Sequence, residues 1–231
     1  MRLIVFGANG PTGRLLTTQA LAAGHDVVAV TRKPHDFPLQ HDRLTTFEGD
    51  VHAADSVESA IAGGDAVLST LGVPYSKQPI TTYSAGIANI VAAMRKHAVR
   101  RIAVVSSSAV DPKPHADAGF LFNRVLQPYL TQVMGKTLYE DMRAMESLLT
   151  ETELDWTVVR PSGLYTSALV TDYTVAEGHT EGRFTSRADL AACLLRLVDD
   201  DRYVQKIVSV VTTSNNPSLL RLIRTEALGK H

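Results

Sequence analysis

Gly7, Gly10 and Gly13 recur at three-residue spacing in Gly7-Ala8-Asn9-Gly10-Pro11-Thr12-Gly13. The apolar run Leu3-Ile4-Val5-Phe6 precedes them and a helical pattern follows. In a strand–turn–helix setting, this spacing suits a pyrophosphate. Glycine permits the tight turn and lets the main chain approach the phosphates. The helix start adds free N–H groups and a partial positive charge. Pro11 has no N–H to give, so Thr12 and Gly13 are the expected donors. Gly7, Asn9 and Gly10 complete the expected binding loop. A second strand pattern, 26–31, ends in Thr31-Arg32-Lys33. A site that prefers NAD usually carries a carboxylate there, on the ribose 2′-hydroxyl. Two cations favour a 2′-phosphate instead, which Arg32 can grip through two parallel N–H bonds. Thr31, Arg32 and Lys33 therefore point to NADP(H) as cofactor; a solvated basic turn is the alternative.

These residues need elements to position them. Short β-branched runs at 3–6, 26–31, 44–47, 66–70, 102–105, 156–159 and 207–211 read as strands. Helical patterns fall between them at 14–23, 54–62, 84–97, 136–150 and 188–198, with a short terminal helix at 218–229 carrying Leu219, Leu222 and Ile223. Such alternation specifies an α/β fold: a doubly wound, mostly parallel Rossmann sheet of about seven strands. The chain reads as one domain, 1–231, with a small C-terminal substrate-binding region. Segments 111–133 and 161–187 break the pattern at the C-terminal ends of their strands. In an open α/β sheet, ligands bind at that edge, so both are expected substrate walls.

Composition narrows the function. The 231 residues carry 23 Lys plus Arg against 24 Asp plus Glu, so nothing marks a nucleic-acid groove. A lone cysteine, Cys193, excludes an internal disulfide and any cysteine-rich metal site. Its apolar neighbours make it core filler. His35 and His41 lack ligand-like spacing, and His179 reads as a loop residue, so no metal is expected. There is no apolar run of membrane-spanning length and no targeting pattern at residue 1. A cytoplasmic protein is expected, a monomer or weak homodimer with a small-molecule substrate. Neither a G-x-S-x-G elbow nor a lysine after the glycines marks a hydrolase or a P-loop.

In this order and spacing, Gly7 to Gly13, Thr31-Arg32-Lys33, Gly49-Asp50-Val51, Ser69-Thr70-Leu71-Gly72, Ser106-Ser107-Ser108, Trp156 to Pro161 and Arg187 to Ala191 resemble the short-chain dehydrogenase/reductase superfamily. The likeness is to its atypical NAD(P)-binding branch, which includes flavin reductase/biliverdin-IXβ reductase types and NmrA-like redox sensors. The resemblance implies that Asp50 accepts a hydrogen bond from the adenine amino group, with the Val51 N–H beside it. It implies that Thr70, Leu71 and Gly72 line the ribose and nicotinamide. Ser107 and Ser108 match the serines beside the nicotinamide, where a substrate oxygen sits. Pro161, Ser162 and Gly163 match the turn along the carboxamide. The plain alternatives are a helix cap for Asp50 and a polar strand end for the serines.

The pattern fails at one point. Standard members reduce carbonyls with a Ser–Tyr–Lys set, and the Tyr and Lys stand as Y-x-x-x-K so that they share a helix face. In the register anchored on Glu146 and Arg160-Pro161, Leu138 and Met142 occupy those places. Tyr139 and Arg143 form a Y-x-x-x-R one residue along. One residue turns the face by about 100°, so this pair is expected on the surface. An alkoxide product needs a positioned acid. Quinones and flavins spread the charge and can collect a proton from water. The expected activity is therefore NADPH-dependent hydride transfer to a planar acceptor, with Ser108 on the acceptor oxygen beside Ser107, and Phe120, Phe122 and Tyr129 stacking on its ring. An NADP(H)-sensing binding protein is the first alternative. A carbonyl reductase or sugar-nucleotide epimerase is the second.

Overall fold

The computed structural model describes residues 1–111, 124, 135–167 and 169–214. Strand β1 (Arg2–Phe6) divides it into two cores. Ile4 and Phe6 enter one and Leu3 and Val5 the other, because successive strand side chains point to opposite faces. Next come α1 (Pro11–Ala22), β2 (Asp26–Thr31), β3 (Leu44–Glu48), α2 (Ala54–Ile61), β4 (Ala66–Ser69), α3 (Thr82–Lys96) and β5 (Arg101–Val105). Beyond them stand α4 (Lys136–Thr150), β6 (Asp155–Pro161), β7 (Gly163–Tyr165), β8 (Tyr173–Glu177), β9 (Phe184–Ser186), α5 (Arg187–Arg196) and β10 (Lys206–Thr212).

The main sheet runs β3-β2-β1-β4-β5-β6-β10-β8. Every pairing in it is parallel except β10 with β8. The chain therefore winds outward twice from β1 and β4, and the crevice between their C-terminal ends is the ligand position of doubly wound sheets. Eight strands replace the expected seven. The extra one, β8, lies within 161–187, which also supplies the parallel pair β7 and β9. At the sheet's edge β8 is only half-buried, so it lacks the unbroken apolar run that marks the central strands. Helix α1 starts at Pro11 rather than at 14, as the fixed φ of proline allows in a first turn.

Helices α3 and α4 join the core that holds Ile4 and Phe6, through Ile87, Ile90 and Met94 from one and Met142, Met145 and Leu149 from the other. Helices α1 and α5 cover the opposite face with Leu16, Ala20, Leu190 and Leu194. Cys193 is fully buried there, as expected. One buried cation ties helix to sheet. Arg101 gives Nε and Nη2 to the Leu197 carbonyl at 2.8 and 2.5 Å, capping α5, and reaches the Thr157 hydroxyl at 2.9 Å. No described helix is long and apolar enough to cross a membrane. The ring residues Phe120, Phe122 and Tyr129, most of segment 111–133 and the terminal helix with Leu219, Leu222 and Ile223 lie outside the described residues.

Candidate functional site

The glycine loop leaves β1 at the crevice. Gly7 adopts φ +74°, which L side chains avoid, and a Cβ there would lie 2.6 Å from the Thr70 carbonyl oxygen. A Cβ on Gly13 would fall inside the Gly7 carbonyl oxygen and 2.7 Å from the Ala8 Cα. The two glycines let the loop fold against β4 and against itself. Gly10 donates its N–H to the Gly7 carbonyl at 3.0 Å and stands at the N-cap of α1. No side chain caps that helix and no acidic residue sits in its first turn. The start of α1 thus offers uncapped N–H groups at Thr12 and Gly13, as an anionic ligand needs. Asn9 is held differently: its Oδ1 accepts both Nε and Nη2 of Arg14, at 3.0 and 2.8 Å.

At the end of β2 the Thr31 hydroxyl accepts the Lys33 N–H at 3.2 Å, and the Thr31 carbonyl accepts the Gly49 N–H at 3.0 Å. Arg32 and Lys33 are exposed, and neither has an ion-pair partner among the described residues. Asp50 follows β3, and its Oδ1 accepts the His52 N–H at 2.9 Å, turning the chain. Val51 is buried, and its carbonyl accepts Asn89 Nδ2 at 2.8 Å. Gly86 brings α3 close enough that a Cβ would meet the Val51 Cβ at 3.1 Å. The residues assigned to phosphate, 2′-phosphate and adenine thus line one edge, and they fit a dinucleotide.

Farther along that edge, the Thr70 hydroxyl donates to the Phe6 and Gly7 carbonyls at 3.1 and 3.2 Å, so it braces the loop. Leu71 packs on the core and Gly72 is exposed. The three serines after β5 divide. Ser106 is buried and donates to Glu146 Oε1 at 2.6 Å. Glu146 also takes Arg160 Nε at 3.0 Å and Nη2 at 2.6 Å, pinning β5, α4 and β6 together. This ion pair holds the Arg160 guanidinium above the usual arginine range. Ser107 accepts the Ala109 N–H at 3.2 Å. Ser108 is half-buried in the short turn Ser108–Val110. Pro161 ends β6, the Ser162 N–H goes to the Thr185 hydroxyl at 3.0 Å, and the Gly163 N–H goes to the Arg183 carbonyl at 3.0 Å. The Ser162 hydroxyl donates to the Gly182 carbonyl at 3.3 Å.

Tyr139 corrects the sequence reading. It is buried rather than on the surface. Its hydroxyl stands 3.1 Å from that of Tyr75. Burial first, and the contact with Tyr75 next, push the Tyr139 phenol well above its ordinary range, so it stays protonated. Arg143 turns away and gives Nε to the Val110 carbonyl at 3.0 Å. The inward stripe of α4 includes Leu138, Tyr139, Met142, Met145, Glu146 and Leu149. It takes in Tyr139 as well as Leu138, so the one-residue shift does not carry Tyr139 to the surface, whereas Arg143 is exposed as expected. Two further residues were missed. Tyr75, on the loop between β4 and α3, carries no motif. Asp141 takes the Tyr83 and Ser84 N–H groups at 2.8 and 3.2 Å, together with the Ser84 hydroxyl, and so caps α3 from α4.

A profile of the NAD(P)H-binding family matches residues 7–201. The chain belongs to this family. The resemblance is borne out to this extent: an NAD(P)H-binding family on an α/β Rossmann fold. An isoflavone reductase homolog of Arabidopsis thaliana is 23% identical over 96% of this chain and 72% of its own. An uncharacterized protein of Mycobacterium tuberculosis is 36% identical over 108 residues, 46% of this chain. The match spans only 12% of that protein's length. Among solved structures, a short-chain dehydrogenase/reductase from Veillonella parvula in complex with NADP superposes with TM-score 0.76 at 18% identity, covering 94% of this chain and 99% of that one. An anaerobillin reductase from Escherichia coli O157:H7 gives 0.71 at 22%, covering 94% and 100%. At these identities the superpositions establish the fold.

Proposed function

We propose that this NAD(P)H-binding protein is an NADPH-dependent reductase that passes hydride to a planar, carbonyl-bearing acceptor of quinone or flavin type, without a Tyr–Lys pair. The observation that carries the cofactor choice is the pair of exposed cations Arg32 and Lys33 at the end of β2, without an ion-pair partner among the described residues, where NAD sites place a carboxylate. When bound, the cofactor supplies the hydride. The chain's own residues do the rest. Thr12 and Gly13 N–H groups hold the pyrophosphate, Arg32 and Lys33 the 2′-phosphate, and Asp50 and Val51 the adenine. Leu71, Gly72 and the Pro161-Ser162-Gly163 turn bound the ribose and nicotinamide end. Ser107 and Ser108 face the acceptor oxygen at the end of β5. The Ser107 hydroxyl accepts the Ala109 N–H, so its proton remains available to an oxygen that gains charge.

Similarity to an isoflavone reductase homolog and to an anaerobillin reductase supports this reading. The test is NADPH consumption by the purified protein, followed by near-UV absorbance, against free flavins, quinones and simple ketones. Turnover of the planar acceptors and not of the ketones is the expected result. Tight NADPH binding without turnover of any acceptor overturns the reading in favour of a sensor.

A further inference from the structure

Arg14 stands where a helix has least use for a cation. It follows Gly13 near the start of α1, the end at which the backbone dipole is positive. A positive charge there opposes the dipole, and no acidic residue of the first turn offsets it. The side chain is exposed and has no ion-pair partner among the described residues. Its guanidinium is nevertheless held in place. Nε and Nη2 both donate to Asn9 Oδ1, at 3.0 and 2.8 Å, so the group lies against the glycine loop. That neutral oxygen fixes the guanidinium without cancelling its charge. The edge between Nη1 and Nη2 has no partner among the described residues. Asn9 is fixed in turn. Only its oxygen can accept from a guanidinium, so its Nδ2 amide turns away from Arg14, and nothing among the described residues accepts from it. The next residue, Gly10, is the N-cap of α1, so the pair flanks the free N–H groups of Thr12 and Gly13. A local choice that opposes its own helix is expected where it serves a ligand.

We propose that Arg14, parked on Asn9, is a side-chain ligand for the pyrophosphate of the cofactor. With the Asn9 amide it forms the outer part of a cradle whose inner part is the backbone at the start of α1. The inference rests on the placing of the cofactor given above. One anion answers both features: it complements the helix dipole and it neutralises Arg14. The Nε–Nη2 edge stays on Asn9, and the other edge meets phosphate oxygens as a planar fork. The cations then divide the work. Arg32 and Lys33 serve the 2′-phosphate, which only NADPH carries. Arg14 serves the pyrophosphate, which NADPH and NADH share. Arg14 thus sets how tightly either dinucleotide is held, and Arg32 sets which of the two is preferred.

The test is calorimetric titration of the purified protein with NADPH, NADH and adenosine 2′-monophosphate, which has the adenine and the 2′-phosphate but no pyrophosphate. Arg14→Gln should weaken NADPH and NADH by the same factor, about 10- to 100-fold, the range of a hydrogen bond to a charged group. Binding of adenosine 2′-monophosphate should be unchanged. Arg14→Lys should recover part of the loss, because it keeps the charge without the fork. Asn9→Ala should cost both dinucleotides about two- to tenfold, the range of a neutral hydrogen bond. Without cofactor, the melting midpoint of Arg14→Gln should hold within about 2 °C, since a cation in a first turn gives the helix nothing. Unchanged dinucleotide affinity in Arg14→Gln overturns the proposal alone. A loss confined to NADPH overturns it by moving Arg14 to the 2′-phosphate, and an equal loss for adenosine 2′-monophosphate overturns it by making Arg14 a structural fastening. Failure of the unmodified protein to bind either dinucleotide overturns the placing of the cofactor itself.

Discussion

Glu146→Gln separates the ion pair that joins three elements beneath the serines. Glu146 takes Ser106 Oγ, Arg160 Nε and Arg160 Nη2 at 2.6, 3.0 and 2.6 Å, and its side chain is 7% exposed. The amide can still accept from Ser106, but its NH₂ faces another donor. Removing one partner of a buried pair costs about 3–5 kcal/mol. Arg160 retains 16% exposure, and the Asp111 carboxylate lies 3.8 Å from its Nη1, so part of its charge stays compensated. We expect about 2–3 kcal/mol, below the fully buried range. For a domain of this size, each kcal/mol moves Tm by roughly 2–4 °C, so the midpoint should fall by about 4–12 °C. Calorimetry at pH 7, with and without NADPH, reads it directly. The same substitution loosens the end of β5, so kcat should fall while NADPH affinity holds. A midpoint within about 1 °C of the unmodified protein, less than a single kcal/mol would give, would refute the view that this pair fastens the serine turn.

Other expectations follow from the same geometry. Arg32→Glu should weaken NADPH binding by about 10- to 100-fold, the range of a lost charge-assisted hydrogen bond, and leave NADH binding nearly unchanged; equal losses in titration would remove the 2′-phosphate argument. Gly13→Ala forces a Cβ into the Gly7 carbonyl, an overpacking of about 1–3 kcal/mol, and equilibrium dialysis should show at least about tenfold weaker NADPH binding. Burial pushes the Cys193 thiol up to about 12 from 9.0. It should therefore ignore thiol reagents at pH 8 until the protein is denatured. Its folded value lies above its unfolded one, so its contribution to stability is complete below pH 9 and is lost as pH rises towards 12. A native thiol that reacts at once at pH 8 would contradict its placement.

The parts of the site made by backbone were legible in the sequence. Gly7 and Gly13 announce their role because only a missing Cβ satisfies those contacts. The unbroken apolar run of β1 likewise announces a strand covered on both faces. What stayed hidden depends on contacts between distant segments. The Asp141 cap on α3 joins residues 57 and 58 positions apart, and nothing in the local spacing of α4 signals it. The place of Tyr139 was not legible either, because a motif register does not determine which way a side chain faces. The inward stripe of α4 spans both Leu138 and Tyr139, so packing breadth outweighed a turn of about 100°. Strand β8 escaped because an edge strand that is half solvated carries a weak pattern.

The cap from Asp141 bears on how this protein can diversify. The segment between β4 and α3 is anchored at its start by the Thr70 hydroxyl on the glycine loop, and at its finish by Asp141 on the first turn of α3. Neither anchor uses a side chain from 72–80. The intervening residues touch α4 through Tyr75 and Ser76. Val73 and Ile80 pack on the core, so replacement, lengthening or shortening of 74–79 between them should leave the nucleotide cradle and the helix scaffold intact while changing what presses on Tyr139 and Thr137 of α4. On the reading proposed above, a library confined to 74–79 is expected to vary acceptor preference on a fixed cofactor platform.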